Sequence, residues 1–189
     1  MELCSDEEIA VLVGKLERDD RGDLSAIDET LKRFPRDPRL HFMRGSILAG
    51  RKKPIDAHAS LTKAVELAPE FHIARYQLGF FELTSGEADK ALSTWGPLLR
   101  LPEKAYLRKF VEGLTHLVRD EFEEAIVDMR EGIKLNQENE PLNNDIRLLI
   151  GESEKLLAKG AAPGDPDEPS DRSATSVILG QLSDRSTRH

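Results

Sequence analysis

The residue types that most often carry chemistry are sparse in this sequence of 189 residues. It has a single cysteine, Cys4, and therefore no second thiol for a disulfide or a thiolate metal site. No basic residue lies near Cys4 in sequence to convert it to a thiolate. No two of its five histidines have the His-Glu-x-x-His spacing that holds a catalytic zinc ion on one helix. The histidines are His41, His58, His72, His116 and His189. We predict no catalytic residue, no metal site and no cofactor, and hence no enzyme.

One pair of residues has the spacing for proton chemistry. His116 follows Glu112 by four residues, so both lie on one face of a predicted helix. Two interpretations are open: a pH-sensitive or ligand-contacting pair, and a partly buried pair satisfied by hydrogen bonds. We favour the second because such pairs are usually structural.

The composition narrows the class of partner. The chain carries 27 Lys and Arg against 35 Asp and Glu, a net charge of −8 that disfavours binding to phosphate backbones. Its first residues are acidic, unlike the basic start of a signal peptide, and no apolar run is long enough to span a bilayer. We predict a soluble, cytoplasmic protein that binds neither nucleic acid nor membrane.

The helices that must position any site are indicated by a repeat with a period of about 34 residues, which we call the repeat interval. Five registers share it: an aromatic residue, a glycine three positions later, an alanine, a large residue four positions after it, and a small or medium residue three later still. They are Phe42, Tyr76 and Phe110; Gly45, Gly79 and Gly113; Ala57, Ala91 and Ala125; Leu61, Trp95 and Met129; and Ala64, Leu98 and Gly132. The glycine and the alanine predict the point at which two helices of a hairpin cross, since only small side chains allow a close approach.

These residues resemble the tetratricopeptide repeat. The stretch from Ala74 to Gly79 is similar to the start of that repeat, Glu121 to Ile126 to the start of its second helix, and Pro69 to its final proline. The resemblance covers residues 38–139 as three units. It implies an all-α fold, a right-handed α-solenoid of antiparallel helical hairpins. The departures are Gln137 in place of a proline, Glu82 in place of an aromatic residue, and the polar pair Glu112 and His116.

Local signals agree with hairpins in this register. Gly50 and Gly86 stand where first helices should end, and glycine favours the left-handed conformation found there. Pro54 suits the first turn of a helix. Asp120 and Glu123 have the spacing of a capping box.

The two ends of the chain complete the predicted organisation. Residues 1–37 form a degenerate N-terminal hairpin, with Ile9, Leu12, Val13 and Leu16 on one helix and Leu24, Ile27, Leu31 and Phe34 on the next. Residues 140–158 form a capping helix with Ile146, Leu149, Ile150 and Leu156 on its apolar face. Residues 159–189 are rich in Pro, Gly, Asp and Ser, and are predicted to be a disordered tail.

The resemblance implies a partner-binding groove lined by first helices. The positions that family members turn inward hold mostly apolar residues here: Phe42, Met43, Ser46, Ile73, Tyr76, Gln77, Phe80, Leu83, Leu107, Phe110, Val111 and Leu114. Leu117 continues the stripe. Two interpretations are open, because an apolar helical stripe either packs on neighbouring helices or forms an exposed groove. The Lys, Arg and Asn residues with which some relatives grip a terminal carboxylate are absent.

The sequence therefore predicts a protein-binding scaffold or adaptor that docks a partner peptide or helix in an apolar groove. The alternatives are a cytoplasmic, secretion-type chaperone and a structural protein that forms a homodimer through the same surface. A short apolar segment in the tail, Val177 to Leu182, offers a further hypothesis. It folds back into the groove, serves as a linear motif for another partner, or has no role.

Overall fold

The computed structural model describes residues 3–16 and 24–158, and within these ranges the chain is all-α. The predicted tail and its apolar segment lie outside the described residues. The α-helices, in chain order, are α1 (Asp6–Leu16), α2 (Ser25–Arg33), α3 (Pro38–Gly50), α4 (Pro54–Leu67), α5 (His72–Thr84), α6 (Ala88–Trp95), α7 (Tyr106–Val118), α8 (Phe122–Leu135) and α9 (Glu140–Ala158). A 3₁₀ turn, Leu98–Arg100, follows α6.

The chain divides into two compact units, residues 1–81 and residues 82–189. The division falls within α5. Unit 1 contains the first four helices and most of α5, and α3 packs against α4. In unit 2, α7 packs against α8, and α8 packs against α9.

The helices repeat with the period of the side chains. First helices begin at Pro38, His72 and Tyr106, each one repeat interval after the last, and α9 begins one further interval on, at Glu140. Second helices begin at Pro54, Ala88 and Phe122 with the same spacing. Pro54 occupies the first turn of α4 as predicted, where its missing N–H costs no hydrogen bond.

The turn between the first and the second helix has the same backbone conformation in all three hairpins. Lys52, Gly86 and Asp120, again separated by the repeat interval, have positive φ angles of 56°, 84° and 57°. Each donates its N–H to a carbonyl three residues back, and the next residue donates to a carbonyl five residues back. This is the Schellman pattern that closes a helix C-terminus.

These turns correct two predictions. Gly86 adopts the left-handed conformation as expected, but Gly50 is the last residue of α3, and Lys52 takes that conformation instead. The capping box of Asp120 and Glu123 is wrong as well. Asp120 closes α7, and α8 begins at Phe122 with Glu121 at its N-cap and no side-chain cap. Ser5 and Glu8 do form a reciprocal capping box at α1, with bonds of 3.2 Å in both directions.

Close helix crossings occur at the repeated glycines. A Cβ atom added at Gly45 would lie 2.7 Å from Cγ of Leu61, and one added at Gly113 would lie 2.7 Å from Cγ of Met129. Such separations are too short for carbon atoms, so the crossing of α3 with α4, and of α7 with α8, requires glycine. The prediction that the repeated glycine marks a helix crossing is confirmed at these two positions, although the side chain nearest to each glycine is the large residue of the second helix rather than its alanine.

The middle second helix is shorter than the others. α6 has 8 residues, whereas α4 and α8 have 14 each. Pro97 follows Gly96 and has no N–H for an α-helical bond, so the helix ends and the 3₁₀ turn Leu98–Arg100 takes over.

The ends of the described chain bury the apolar faces that the sequence predicts. Leu12, Ile27 and Phe34 are core residues of unit 1, although Val13 is exposed. In α9, Ile146, Leu149 and Ile150 are buried, and this helix packs on α8. The turn between α8 and α9 is held by two buried asparagines: Asn136 Nδ2 donates to Asn143 Oδ1 at 2.9 Å, and Asn143 Nδ2 donates to the Asn136 carbonyl at 2.9 Å. Gln137, which replaces the family's proline, follows directly.

Candidate functional site

The twelve residues of the predicted groove divide evenly by burial. Six are half-buried and keep part of their surface in contact with solvent: Phe42, Met43, Ser46, Ile73, Gln77 and Phe80. The other six are buried: Tyr76, Leu83, Leu107, Phe110, Val111 and Leu114. All six half-buried residues belong to α3 and α5 in unit 1.

The buried members on α7 are core residues. Phe110, Val111 and Leu114 have relative exposures of 0%, and Leu107 has 6%. The Phe110 ring fills the space over Gly132, where an added Cβ would collide with it. A fully buried side chain offers a docked partner no surface. Of the two interpretations of this stripe, packing on neighbouring helices therefore holds for these residues.

The half-buried residues on the first helices of unit 1 form the candidate site. We call Phe42, Met43 and Ser46 of α3, with Ile73, Gln77 and Phe80 of α5, the α3–α5 residues. The Phe42 ring packs edge-on against Phe71, 5.3 Å between centroids, which ties α3 to the segment that leads into α5. The Phe80 ring stacks on buried Tyr76, with 6.2 Å between centroids and 10° between planes.

These ring contacts limit the movement of the aromatic side chains. A side chain held against a second ring loses little conformational entropy when a ligand covers its remaining surface. Ser46 donates its hydroxyl to the Phe42 carbonyl at 3.1 Å, so it is already satisfied within the helix. Among the α3–α5 residues, Gln77 brings the only side-chain amide. The arrangement suits binding through apolar contact rather than catalysis.

A second set of polar residues joins the two helices of each hairpin. One position of the second helix makes a cross-helix contact in all three hairpins. It is held by Ser60, Thr94 and Asp128, each one repeat interval after the last. Arg44 donates to Ser60 at 2.9 Å, Thr94 donates to Glu82 at 2.6 Å, and Lys109 donates to Asp128 at 3.3 Å. Glu82, which replaces the family's aromatic residue, is therefore a buried hydrogen-bond acceptor in the hairpin. These contacts are structural.

The predicted pair of His116 and Glu112 is not formed. Nδ1 of His116 lies 2.5 Å from the Glu121 carboxylate, and Nε2 lies 3.6 Å from Asp128. Glu112 instead accepts from Arg108 at 2.8 Å and pairs with Lys109 at 2.9 Å. The two side chains share a helix face, but each finds a nearer partner of opposite or complementary charge.

Lys109 is the centre of this charged cluster on α7 and α8. Besides Glu112, it pairs with Asp128 at 3.3 Å and with Glu131 at 3.5 Å. The hydrogen bond to Glu112 is the main reason that the pKa of Lys109 is raised well above its usual value. Burial acts to raise the pKa of Glu112, but hydrogen bonds from Arg108 and Lys109 outweigh it and lower that pKa. Both groups stay charged, so neither is poised to transfer a proton near neutral pH.

The only cysteine lies in a buried polar clamp that the sequence did not reveal. Asp37 caps α3, has no exposed surface, and accepts two hydrogen bonds from the Arg39 guanidinium, at 3.1 and 2.7 Å. It also accepts the Cys4 N–H at 3.0 Å, and Arg39 donates to the Cys4 carbonyl. The clamp therefore fastens the chain before α1 to the start of α3. Asp directly before Pro38 is the signal that could have identified this cap.

The surroundings of Cys4 oppose thiolate chemistry. Burial, followed by the nearby Glu8 carboxylate, raises the pKa of the thiol. A thiol with a raised pKa is a poorer nucleophile and metal ligand at neutral pH.

Metal-binding clusters and membrane-spanning helices do not occur in the described part of the chain. Within residues 3–16 and 24–158, no group of three or more His, Cys, Asp or Glu side chains could hold a metal ion. Over the same part of the chain, no helix has the length and apolar composition needed to cross a membrane. No protein-family model matches this chain, and no curated protein matches it with significant similarity.

Proposed function

We propose that this chain is a non-enzymatic, cytoplasmic scaffold or adaptor of the tetratricopeptide-repeat type, which binds a partner polypeptide through the α3–α5 residues. The proposal rests on the half-buried aromatic and aliphatic side chains on two first helices of unit 1, α3 and α5. The helices recur at the repeat interval with the turns and crossings described above, which supports an array of stacked hairpins. In such an array, first helices supply the binding surface.

The mechanism is docking onto a prearranged surface. Phe42 and Phe80 are each held by a second ring, so a partner need not order them on binding. Apolar side chains of the partner cover the remaining exposed parts of Phe42, Met43, Ile73 and Phe80, which supplies the hydrophobic term. The Gln77 amide offers both a donor and an acceptor to the partner's backbone or side chains.

A photo-crosslinking experiment tests the site directly. A photoreactive amino acid replaces Gln77 in one variant and Lys63 in another; Lys63 lies on α4, is 49% exposed, and is not an α3–α5 residue. Both proteins are irradiated in cells, and products are identified by mass. A partner that crosslinks through position 77 and not through position 63 supports the proposal. Equal crosslinking at both positions refutes the assignment of the surface.

A binding measurement then separates the α3–α5 residues from the rest of the protein. Replacing Phe42 with Ser and Gln77 with Arg should weaken binding of the identified partner by about 100-fold, because two interface side chains of hot-spot character are lost. The Lys63→Glu variant is the matched control and should bind as the wild type does. Circular dichroism confirms that the doubly substituted protein, the Lys63→Glu control and the wild type are all folded.

The two alternative functions predict different crosslinked products. A secretion-type chaperone would crosslink to a substrate polypeptide that aggregates when this protein is absent. A self-associating structural protein would crosslink to a second copy of the chain, giving a product of twice the monomer mass.

A further inference from the structure

The last described helix, α9, occupies the place of a first helix. It begins at Glu140, one repeat interval after α7 begins at Tyr106. It packs on α8 but runs for 19 residues instead of the 13 of α3, α5 and α7. In the preceding hairpin, the chain turns after the first helix, α7, and returns as the second helix, α8. The described residues end with α9, at Ala158, and include no such return.

The face of α9 that a second helix would cover differs from those of the other first helices. Gly45 in α3 and Gly113 in α7 lie eight positions into their intervals, at the crossing with the second helix. The eighth position of the interval that begins at Glu140 is Arg147. A long cationic side chain at this place prevents a helix from crossing as closely as α4 and α8 do, so any occupant must pack differently and must accommodate the charge.

A groove of about 430 Å³ lies beside this face, between α8 and α9. Its lining includes Arg130, Ile133 and Lys134 from α8, and Arg147, Ile150 and Gly151 from α9. A Cβ atom added at Gly151 would have no neighbour within 4 Å, so the groove is open at its centre. Ile133 and Ile150 supply the large apolar side chains of this lining.

The rim of the groove is cationic, although the whole chain has a net charge of −8. Arg130 pairs with Glu154 at 2.5 Å, and Arg147 pairs with Glu140 at 2.6 Å. Lys134 has no ion pair with any described residue. With Glu140 counted as the partner of Arg147, these three cations face two carboxylates, and the remaining positive charge of Lys134 favours an occupant that carries acidic groups together with apolar side chains.

We propose that the groove between α8 and α9 binds residues 165–182 of the same chain, which take the place of the second helix that residues up to Ala158 do not supply. This segment carries four carboxylates, Asp165, Asp167, Glu168 and Asp171, against one cation, Arg172, and it ends with the apolar residues Val177, Ile178, Leu179 and Leu182. The carboxylates pair with Lys134 and Arg147, and the apolar residues cover Ile133 and Ile150.

The length of chain after α9 permits this docking. Ile150 lies eight residues before Ala158, a distance of about 12 Å along a helix. The 18 residues between Ala158 and Val177 can span up to about 60 Å when extended, so the apolar segment reaches the groove without strain.

Disulfide trapping in the full-length chain tests the proposal. All variants carry Cys4→Ser, so that only introduced thiols react. The test protein has Gly151→Cys and Gln181→Cys. Residue 151 has room for a Cβ, and position 181 leaves the apolar residues intact. The control protein has Glu123→Cys and Gln181→Cys; Glu123 is exposed on α8 and does not line the groove. Formation of the intrachain disulfide is followed at low protein concentration with a mild oxidant.

A docked segment should make the pair at 151 and 181 form at least about ten times faster than the control pair, because docking raises the effective concentration of one thiol near the other. The longer loop of the control accounts for about a three-fold difference only. Adding Lys134→Glu and Arg147→Glu, or replacing Val177, Ile178 and Leu179 with Ser, should lower the rate of disulfide formation in the test pair to that expected from loop length alone.

Three results would overturn the proposal. The first is a rate ratio of about three or less, which loop length alone explains. The second is an excess that survives both the charge reversal and the serine substitutions. The third is a product of twice the monomer mass, which would assign the groove to a second molecule. Circular dichroism of each variant confirms that α9 is folded, and none of these results depends on the α3–α5 residues.

Discussion

The hairpins α3–α4 in unit 1 and α7–α8 in unit 2 occupy the same register of the repeat, yet they present their first helices differently. Phe42, Met43 and Ser46 in unit 1 correspond to Phe110, Val111 and Leu114 in unit 2, each two intervals later. The first three are half-buried, and the second three have no exposed surface. Position within the repeat therefore determines which side of a helix a residue lies on, but not whether solvent reaches it.

The polar residues of the two hairpins differ in the same way. α3 begins after Asp37, whose buried carboxylate caps the helix, whereas α7 begins after Ala105, which has no side chain that could cap. Arg44 of α3 donates to a neutral acceptor on α4, Ser60, whereas α7 and α8 are joined by a charged cluster centred on Lys109. Equivalent positions thus keep a cross-helix contact while exchanging the groups that make it.

Truncation of the two equivalent phenylalanines should separate core from surface most sharply. We expect Phe110→Ala to lower the free energy of unfolding by about 4 kcal/mol, the cost of a cavity at a fully buried aromatic residue. Phe42→Ala should cost about 1–2 kcal/mol because part of its ring is already in water. Urea unfolding followed by circular dichroism measures both. Equal losses would contradict the contrast between the two first helices.

Removal of the buried cap should be nearly as costly in unit 1. Asp37→Ala leaves the Arg39 guanidinium and the Cys4 N–H without their acceptor, and we expect it to lower the free energy of unfolding by about 3 kcal/mol. At the equivalent position in unit 2, Ala105→Asp should raise it by about 1 kcal/mol by supplying a cap to α7. A stabilising Asp37→Ala would show that the clamp is not an anchor.

The same carboxylate gives a dependence on pH with a definite sign. Burial acts to raise the pKa of Asp37, but hydrogen bonds from Arg39 and Cys4 outweigh it and lower that pKa. A carboxyl with a lowered pKa contributes stability above its ordinary pKa near 4, and this contribution is lost as the pH falls through the folded value. The unfolding free energy should fall less between pH 6 and pH 3 in Asp37→Asn than in the wild type. Glu8, Glu112 and Glu140 titrate in both proteins, so the difference isolates Asp37.

Two glycines in unit 2 provide a matched test of helix packing. Gly132→Ala should destabilise by about 2 kcal/mol, since the added methyl group collides with the Phe110 ring. Gly151→Ala should stabilise by about 1 kcal/mol because its methyl group meets nothing and alanine favours a helix. Thermal unfolding of the two variants, compared with the wild type, should show shifts in opposite directions. A loss of stability in Gly151→Ala would mean that the groove beside α9 is already filled tightly.

The smallest expected effects concern the left-handed turn residues. Gly86→Ala should cost about 1 kcal/mol, and Asp120→Gly and Lys52→Gly should each gain up to about 1 kcal/mol, because glycine adopts a positive φ without a steric penalty. Denaturant midpoints measured in triplicate resolve such differences. If Lys52→Gly destabilises while Asp120→Gly stabilises, the turns of the two hairpins are not equivalent.

The sequence predicted the fold where one residue type has one physical role. Gly45 and Gly113 marked helix crossings because no other side chain fits there, and Pro54 marked a helix start. The sequence misled where several residue types can fill a role. The left-handed position holds Lys, Gly and Asp in turn, so no repeated residue type marks it, and Gly50 wrongly predicts it two residues too early.

The candidate site was harder to predict for a related reason. An apolar residue is equally compatible with a core and with a groove, so the pattern on α7 could not distinguish Val111 in the core from a surface residue like Met43. His116 and Glu112 had suitable spacing, but Arg108 and Lys109, on the same helix, pair with Glu112 instead. The turn after α7 brings Glu121 to His116. The clamp of Asp37, Arg39 and Cys4 joins residues more than 30 positions apart, which no local pattern reveals.

The end of α6 gives the protein an internal optical reporter. Trp95, the last residue of that helix and the only tryptophan in the chain, is completely buried, and Gly96 and Pro97 prevent the helix from continuing past it. Its indole emission therefore arises from one site in unit 2 and shifts to longer wavelength only when water reaches that site. Combined with circular dichroism, which averages over all helices, the emission of unlabelled protein would show whether the shortened middle helix opens before the rest of the molecule.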